Sequence, residues 1–250
     1  WEGALVALEP SLTCGECEAC RGGRYNICER LRVMGFQAPG AMAERFVSPA
    51  RNLHRLPEGF DAELGAMVEP LAVAVHAAAL APLQGRDVAV LGAGAIGLLV
   101  AQVARAYGAA RVDVVDPLEP RRRAAEALGL RAKAPDGAKY HVLFECAGNE
   151  KALEAAIRGA RKGGSVVVVG VYGRPATVSA GLIQDWEIGL KGSLMYTFRD
   201  YREAIRLFAE GRVQGKPLVT HRFPLHEAGA AFAAALGRER ALKVMLLAQG

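Results

Sequence analysis

No unbroken apolar run approaches the roughly 18 residues that cross a bilayer. The most apolar stretch, Val88 to Ala101, is interrupted by Gly92, Gly94 and Gly97, so no membrane partner is expected. Nor does the chain open on a basic segment with an apolar core and a small-residue cleavage site, so a cytoplasmic protein is expected. Aromatic residues reach only 6%, and the basic residues are scattered, with Arg121-Arg122-Arg123 the tightest cluster. A nucleic-acid groove would interleave basic residues with stacking rings. The net charge of +5 therefore reads as a solvated basic surface with no nucleic-acid partner, leaving one or two arginines for an anionic cofactor. Internal repeats and low-complexity tracts are also lacking. What is present, 52% hydrophobic and 23% charged residues over 250 positions, is a globular composition with room for one large or two modest domains.

Cysteine is scarce, yet four of the five fall within fifteen residues: Cys14, Cys17, Cys20 and Cys28. Their spacing, C-x2-C-x2-C-x7-C with Gly15, Gly22 and Gly23 for tight turns, suits a closed tetrahedral zinc site. Four protein ligands leave no open position, so such a zinc would be structural. Arg21 and Arg24 would offset its negative charge. Two disulfides would suit a small chain with a secretory signal, and at 250 residues with no such signal expected they are not expected here. An iron–sulfur motif opens the same way but continues with three residues to a Cys-Pro pair, where this chain has seven and then Glu29. Cys146 reads as a packed small hydrophobe.

From Asp87 onward, short apolar runs alternate with helical ones. Asp87–Leu91, Arg111–Val115, His141–Cys146, Ser165–Val169 and Ile188–Met195 read as extended. Ala95–Tyr107, Leu118–Leu128, Lys151–Ala160 and Tyr201–Glu210 read as helical. Mostly apolar strands separated by helices imply an α/β, Rossmann-type, doubly wound parallel sheet. Ala62–Ala81 reads as a long connecting helix with Pro70 near its first turns. Residues 1–60 read as a β-rich lobe of short pieces broken by Gly and Pro.

Gly92-Ala-Gly94-Ala-Ile-Gly97 follows a strand and opens a helix. Gly92 permits the sharp turn, Gly94 lets the backbone approach a pyrophosphate, and Gly97 brings helix and strand together. The helix N-terminus offers N–H groups to the phosphates. Asp116, about twenty residues on, can accept the ribose hydroxyls of NAD and would repel a 2′-phosphate. NAD is expected over NADP, although Arg121–Arg123 offer an alternative phosphate ligand.

With these pieces in place the chain resembles the zinc-dependent medium-chain alcohol dehydrogenases, in the branch of sorbitol (polyol), threonine and butanediol dehydrogenases. The resemblance rests on Glu9–Cys17, Ala50–Pro57, Val68–His76, Gly92–Gly97, Glu145–Asn149 and Lys216–Leu225. It implies a partial β-rich, GroES-like catalytic domain over residues 1–70, an NAD-binding Rossmann domain over 71–211, and a return to the catalytic domain over 212–250. It also implies NAD-linked oxidation of a secondary alcohol or polyol to a ketone: zinc lowers the alcohol's pKa and hydride passes to the nicotinamide. A homotetramer or homodimer is implied too. Carried over by position, Cys14, Cys17, Cys20 and Cys28 match structural zinc ligands, Asp116 the ribose carboxylate, and Arg121 an arginine over the adenine. Ile96, Val169, Gly170, Val171, Ser193, Leu194 and Met195 fall where the family lines its cofactor pocket. Glu69 matches the glutamate at the catalytic zinc, as a ligand or as the holder of water or substrate oxygen. Read from the residues alone, it could equally be an N-terminal helix charge satisfied by backbone N–H groups.

Two departures accompany the likeness. The family's catalytic Cys and His-Glu pair lie upstream of the four-cysteine lobe, and this chain starts at Trp1. The natural chain is therefore expected to be longer, and these 250 residues to bind NAD without oxidising an alcohol. Second, Met195-Tyr196 stands where animal sorbitol enzymes carry Arg-Tyr; Tyr196 can still grip a substrate hydroxyl, but Met195 cannot. His54, His76, His141, His221 and His226 read as packing or loop residues. The rival readings are a zinc-free quinone or enoyl reductase, an NAD-binding relative without chemistry, and an iron–sulfur carrier.

Overall fold

Runs such as Asp87-Val-Ala-Val-Leu91 have no polar face, so strands built from them must be covered on both sides. The computed structural model describes residues 2–237 and 241–248. Trp1, on which the expectation of a longer chain rests, lies outside them. The elements begin with β1 (Val6–Leu8), β2 (Ser11–Leu12), α1 (Glu18–Arg21), β3 (Arg32–Val33), β4 (Leu53–Arg55) and α2 (Ala62–Ala79). Next come β5 (Asp87–Leu91), α3 (Ala95–Ala106), β6 (Arg111–Val115), α4 (Glu119–Ala127) and β7 (Arg131–Lys133). They continue with β8 (Tyr140–Glu145), α5 (Glu150–Gly159), β9 (Ala160–Val168), α6 (Ala180–Asp185) and β10 (Gly189–Gly192). The chain closes with α7 (Phe198–Ala209), β11 (Val219–Pro224), α8 (Ala228–Leu236) and β12 (Lys243–Leu247).

Two compact units emerge: one of Trp1–Ala72, Met195–Gly211 and Gly215–Gly250, the other of Val73–Leu194 and Arg212–Gln214. The second is built on a six-stranded parallel sheet in the order β10-β9-β8-β5-β6-β7. The chain moves outward from β5 through β6 to β7, then crosses to β8 and outward again, so the order reverses between β5 and β8. Val88, Ala89, Val90, Val114 and Phe144 are buried in this sheet, and Leu98 to Ala104 are buried along α3. Each fully buried Val, Leu or Phe contributes about 1.5–3 kcal/mol.

Among the described residues the first unit holds three two-stranded sheets: β1-β4 and β2-β3, both antiparallel, and the parallel β11-β12. Asn52 Nδ2 ties β1 and β2 together, donating to the carbonyls of Glu9 and Ser11, both at 2.7 Å. Behind them His54 Nε2 meets Glu9 Oε2 at 2.8 Å, both residues buried, and the His54 ring stacks on Tyr201. Two differences from the sequence reading are local. Pro70 sits mid-way along α2 rather than in its first turns, and its missing N–H leaves the Ala66 carbonyl without its helical donor. Strand β7 and helix α6 have no counterpart among the runs that read as extended or helical in the sequence.

Arg222 on β11 grips Glu63 on α2 through two hydrogen bonds of 2.5 and 2.8 Å. That hydrogen bonding to Arg222 holds the Glu63 carboxyl below its ordinary value of 4.5. A depressed folded value means the pair stabilises above the ordinary value and loses that contribution as pH falls through the folded one. Glu63→Gln is expected to lower the melting midpoint slightly at neutral pH, as for exposed pairs generally. Below the folded value the variant should melt with the parent; an equal deficit at both pH values would show a packing effect instead.

Candidate functional site

The four cysteines of the first unit converge. Their Sγ atoms all lie within 4.8 Å of one another, with Cys14–Cys28 at 3.5 Å and Cys14–Cys20 at 3.8 Å. A tetrahedral zinc with bonds of about 2.3 Å sets its sulfurs about 3.8 Å apart, so the donor set fits. A disulfide needs about 2.05 Å, and all five cysteines are free. Backbone N–H groups also point at the sulfurs: Cys17 N at Cys14 Sγ, and Cys14 N and Arg30 N at Cys28 Sγ, each 3.4 Å. Hydrogen bonding from the Cys17 backbone lowers the Cys14 thiol to about 6, whereas burial raises Cys20 to about 12. Arg30, which pairs with Glu16, also lowers Cys14; Arg21 and Arg24, expected to offset the cluster's charge, are exposed.

In the second unit the glycine turn has the form a phosphate needs. Gly92 adopts φ of 105°, and a Cβ there would lie 3.1 Å from backbone atoms of Cys146 and Ala147. At Gly97 a Cβ would fall 1.9 Å from the Gly92 carbonyl oxygen. Around Gly94 there is open space. Gly94 caps α3 without a side chain, and the first helical hydrogen bond runs from Leu98 N to Gly94 O, so the N–H groups before it remain for an anion. Asp116 follows β6 directly. It is buried and held at both oxygens, Oδ2 accepting from Ala93 N and Oδ1 from Leu118 N, each at 2.8 Å. Arg122 braces the same turn, donating to the carbonyls of Asp116 and Pro117. Arg121 is half-buried on α4.

Other expected cofactor residues lie at the same carboxyl edge of the sheet. Ile96 is on the first turn of α3. Val169 and Gly170 follow β9, both donating backbone N–H to the Glu145 carbonyl, at 2.8 and 2.9 Å. Val171 is 92% exposed and Leu194 is 48% exposed. Ser193 Oγ is buried with no partner, an orphan that a bound dinucleotide can satisfy. The residue that sequence reasoning missed is Glu145. It is fully buried at the end of β8, and only contacts distant in sequence, such as Tyr172 at 27 residues, expose its role.

Met195, Glu69 and Tyr196 belong to the first unit. Met195 takes a φ of 50°, a strained setting of about 1–3 kcal/mol for a non-glycine residue. Burial raises the Glu69 carboxyl above its ordinary value, against the lowering effect of the Tyr196 hydroxyl and Lys243. Burial and the Glu69 charge push the Tyr196 hydroxyl up, and that hydroxyl is buried beside the Glu69 carboxylate. Among the described residues the sulfur cluster is the one group of three or more metal-ligating side chains; none gathers at Glu69. A complete second zinc site is therefore not formed by these residues.

Comparison with known proteins matches this architecture. Residues 1–58 match the alcohol dehydrogenase GroES-like domain, and residues 95–210 the zinc-binding dehydrogenase family. A 2-dehydro-3-deoxy-L-galactonate 5-dehydrogenase of Pseudoalteromonas atlantica is 34% identical over 98% of this chain and 75% of its own length. Sorbitol dehydrogenase 1 of Saccharomyces cerevisiae is 35% identical over 92% of this chain and 71% of its own. A solved zinc-binding dehydrogenase of Sinorhizobium meliloti, bound to NADP, superposes with a TM-score of 0.90 at 31% identity, covering 98% of this chain and 77% of that one. The fold, the sulfur cluster and the glycine turn define a zinc-binding, nicotinamide-dependent oxidoreductase. The chain belongs to the zinc-dependent medium-chain alcohol dehydrogenase family, in its polyol dehydrogenase branch.

Proposed function

We propose that this dehydrogenase uses NAD rather than NADP to oxidise a secondary hydroxyl of a polyol or sugar acid. The carrying observation is Asp116, whose charge is fixed at the mouth of the glycine turn by the N–H groups of Ala93 and Leu118. A carboxylate held at both oxygens cannot swing away from a 2′-phosphate, so it selects by repulsion as well as by accepting ribose hydroxyls. Gly92, Gly94 and Gly97 shape the pyrophosphate turn. Ile96, Arg121, Val169, Gly170, Val171, Ser193, Leu194 and Met195 line the rest of the cofactor's surface. When bound, the nicotinamide supplies the hydride acceptor.

Cys14, Cys17, Cys20 and Cys28 hold a structural zinc. Glu69 and Tyr196 grip substrate hydroxyls: both are polar groups in apolar surroundings, a carboxyl with a raised pKa beside a buried hydroxyl. The sugar-acid and sorbitol dehydrogenases among its relatives support this substrate class. The family likeness further supports segments 1–70 and 212–250 as catalytic domain and 71–211 as cofactor domain, with Met195–Gly211 grouping instead in the first compact unit, and a cytoplasmic homodimer or homotetramer.

Calorimetric titration tests the cofactor reading. NAD+ is expected to bind about tenfold or more tightly than NADP+, and Asp116→Asn to narrow the gap. Equal affinities in the parent would overturn it. For the substrate, polyols, sugar acids and diols offered to the native protein should raise NADH absorbance; turnover confined to primary alcohols or quinones would refute the class.

A further inference from the structure

We propose that Glu145 is an electrostatic selector for the oxidised cofactor: its buried carboxylate favours the positively charged nicotinamide of NAD+ over the neutral ring of NADH. The inference rests on the dinucleotide reading above. The strand order reverses between β5 and β8, and a dinucleotide in such a sheet lies across that reversal, over the carboxyl ends of the strands. Asp116, beyond β6, takes the ribose on one side of the glycine turn. The other half of the cofactor, which carries the nicotinamide, must then run over the ends of β8 and β9. Glu145 is the last residue of β8.

Its surroundings are those of an anion. Oε1 accepts from Ala147 N and Gly148 N, each at 2.8 Å, and Oε2 accepts from the Tyr172 hydroxyl at 2.8 Å. The side chain is fully buried, and among the described residues no cation pairs with it. A Cβ on Gly170 would lie 2.7 Å from Oε2, so bare backbone alone separates the carboxylate from the loop after β9. Three donors fix the negative charge, and nothing nearby neutralises it. An anion needed only to shape the loop could have been an amide, which offers the same acceptor to the two N–H groups at lower desolvation cost.

NAD+ and NADH differ by one positive charge on the ring, lost when hydride adds. A fixed anion beneath the nicotinamide half therefore acts on one and not the other. At a separation of about 10 Å and an effective dielectric of about 25–50, the interaction is worth roughly a three- to tenfold ratio of affinities.

The test compares NAD+, NADH and ADP-ribose, which lacks the nicotinamide, by calorimetry. Glu145→Gln keeps the shape: its amide oxygen can take the N–H groups of Ala147 and Gly148 while its NH2 donates to the Tyr172 oxygen. The variant is expected to weaken NAD+ relative to NADH by about three- to tenfold and to leave ADP-ribose unchanged. Tyr172→Phe, which removes a donor but keeps the charge, should hold the NAD+/NADH ratio at or above the parent's. If Glu145→Gln fails to fold, Tyr172→Phe still decides, because a fallen ratio there overturns the proposal. Equal weakening of all three ligands in Glu145→Gln, or an unchanged ratio, overturns it too. A parent protein that binds none of the three refutes the cofactor reading along with it.

Discussion

Cys28→Ser is expected to reduce bound zinc from one ion per chain to none and to lower the melting midpoint by roughly 10 °C, taking about 2–4 °C per kcal/mol for a chain of this size. The segment from Cys14 to Cys28 has little else to hold it. Helix α1 is four residues long with none buried, a single 3-10 turn spans Tyr25–Ile27, and Asn26 and Cys28 are the buried residues in that stretch. Without metal, the sulfurs themselves become a liability, since three of the four thiols are only partly buried and near enough to oxidise. Structural zinc in small peptides binds with about 10–16 kcal/mol, so even a fraction of that exceeds the roughly 1 kcal/mol of an ordinary substitution. Cys146→Ala is the control: Cys146 stands outside the cluster at the end of β8, and its zinc content should match the parent's. Elemental analysis with thermal melts decides. A parent that contains no metal and melts identically with and without chelator would remove zinc from this lobe.

The cluster was legible in the sequence because its geometry is local. C-x2-C-x2-C-x7-C closes a shell within fifteen residues, and no long-range packing is needed to know which sulfurs meet. The glycine turn was legible for a similar reason: Gly97 answers to Gly92 five residues earlier and Gly94 to a ligand, although Gly92 also faces the distant Cys146–Ala147 backbone. The strands β5, β6 and β8 and the Ser165–Val168 end of β9 announced themselves by being mostly apolar; the Ala160–Gly164 start of β9, with its Arg-Lys-Gly-Gly, did not. Strand β7, Arg131-Ala-Lys133, did not, since it lies at the edge of the sheet and carries two basic residues. Helix α6 is only six residues with none buried, below the length at which periodicity is readable. Glu145 was hidden differently. A glutamate at a strand end reads as solvent-facing, and its partner Tyr172 is set by how two loops fold back on each other. The Glu9–His54 pair, 45 residues apart, was beyond local reasoning as well.

Gly94→Ala and Gly97→Ala are expected to fail in opposite ways, and the contrast separates a phosphate cradle from a mere tight turn. Gly97 is required by the chain itself: a methyl group there would sit 1.9 Å from the Gly92 oxygen and 3.1 Å from its carbonyl carbon, both backbone atoms that cannot step aside. Overpacking typically costs about 1–3 kcal/mol, and the midpoint should fall by roughly 5–10 °C. Gly94 is not required by the chain. Its φ is −75°, open to any residue, and a Cβ would meet nothing within 4 Å. The folded protein alone gives no reason for glycine at that position beyond the small N-cap preference over alanine, about 1 kcal/mol or less. A pyrophosphate drawn against the N–H groups of α3 does give one, because the added methyl would occupy the space through which it approaches. Gly94→Ala should therefore melt close to the parent and bind NAD+ at least about tenfold more weakly, a loss of roughly 1.4 kcal/mol. Unchanged NAD+ affinity in that variant would show that the open face at Gly94 is not where the phosphates lie.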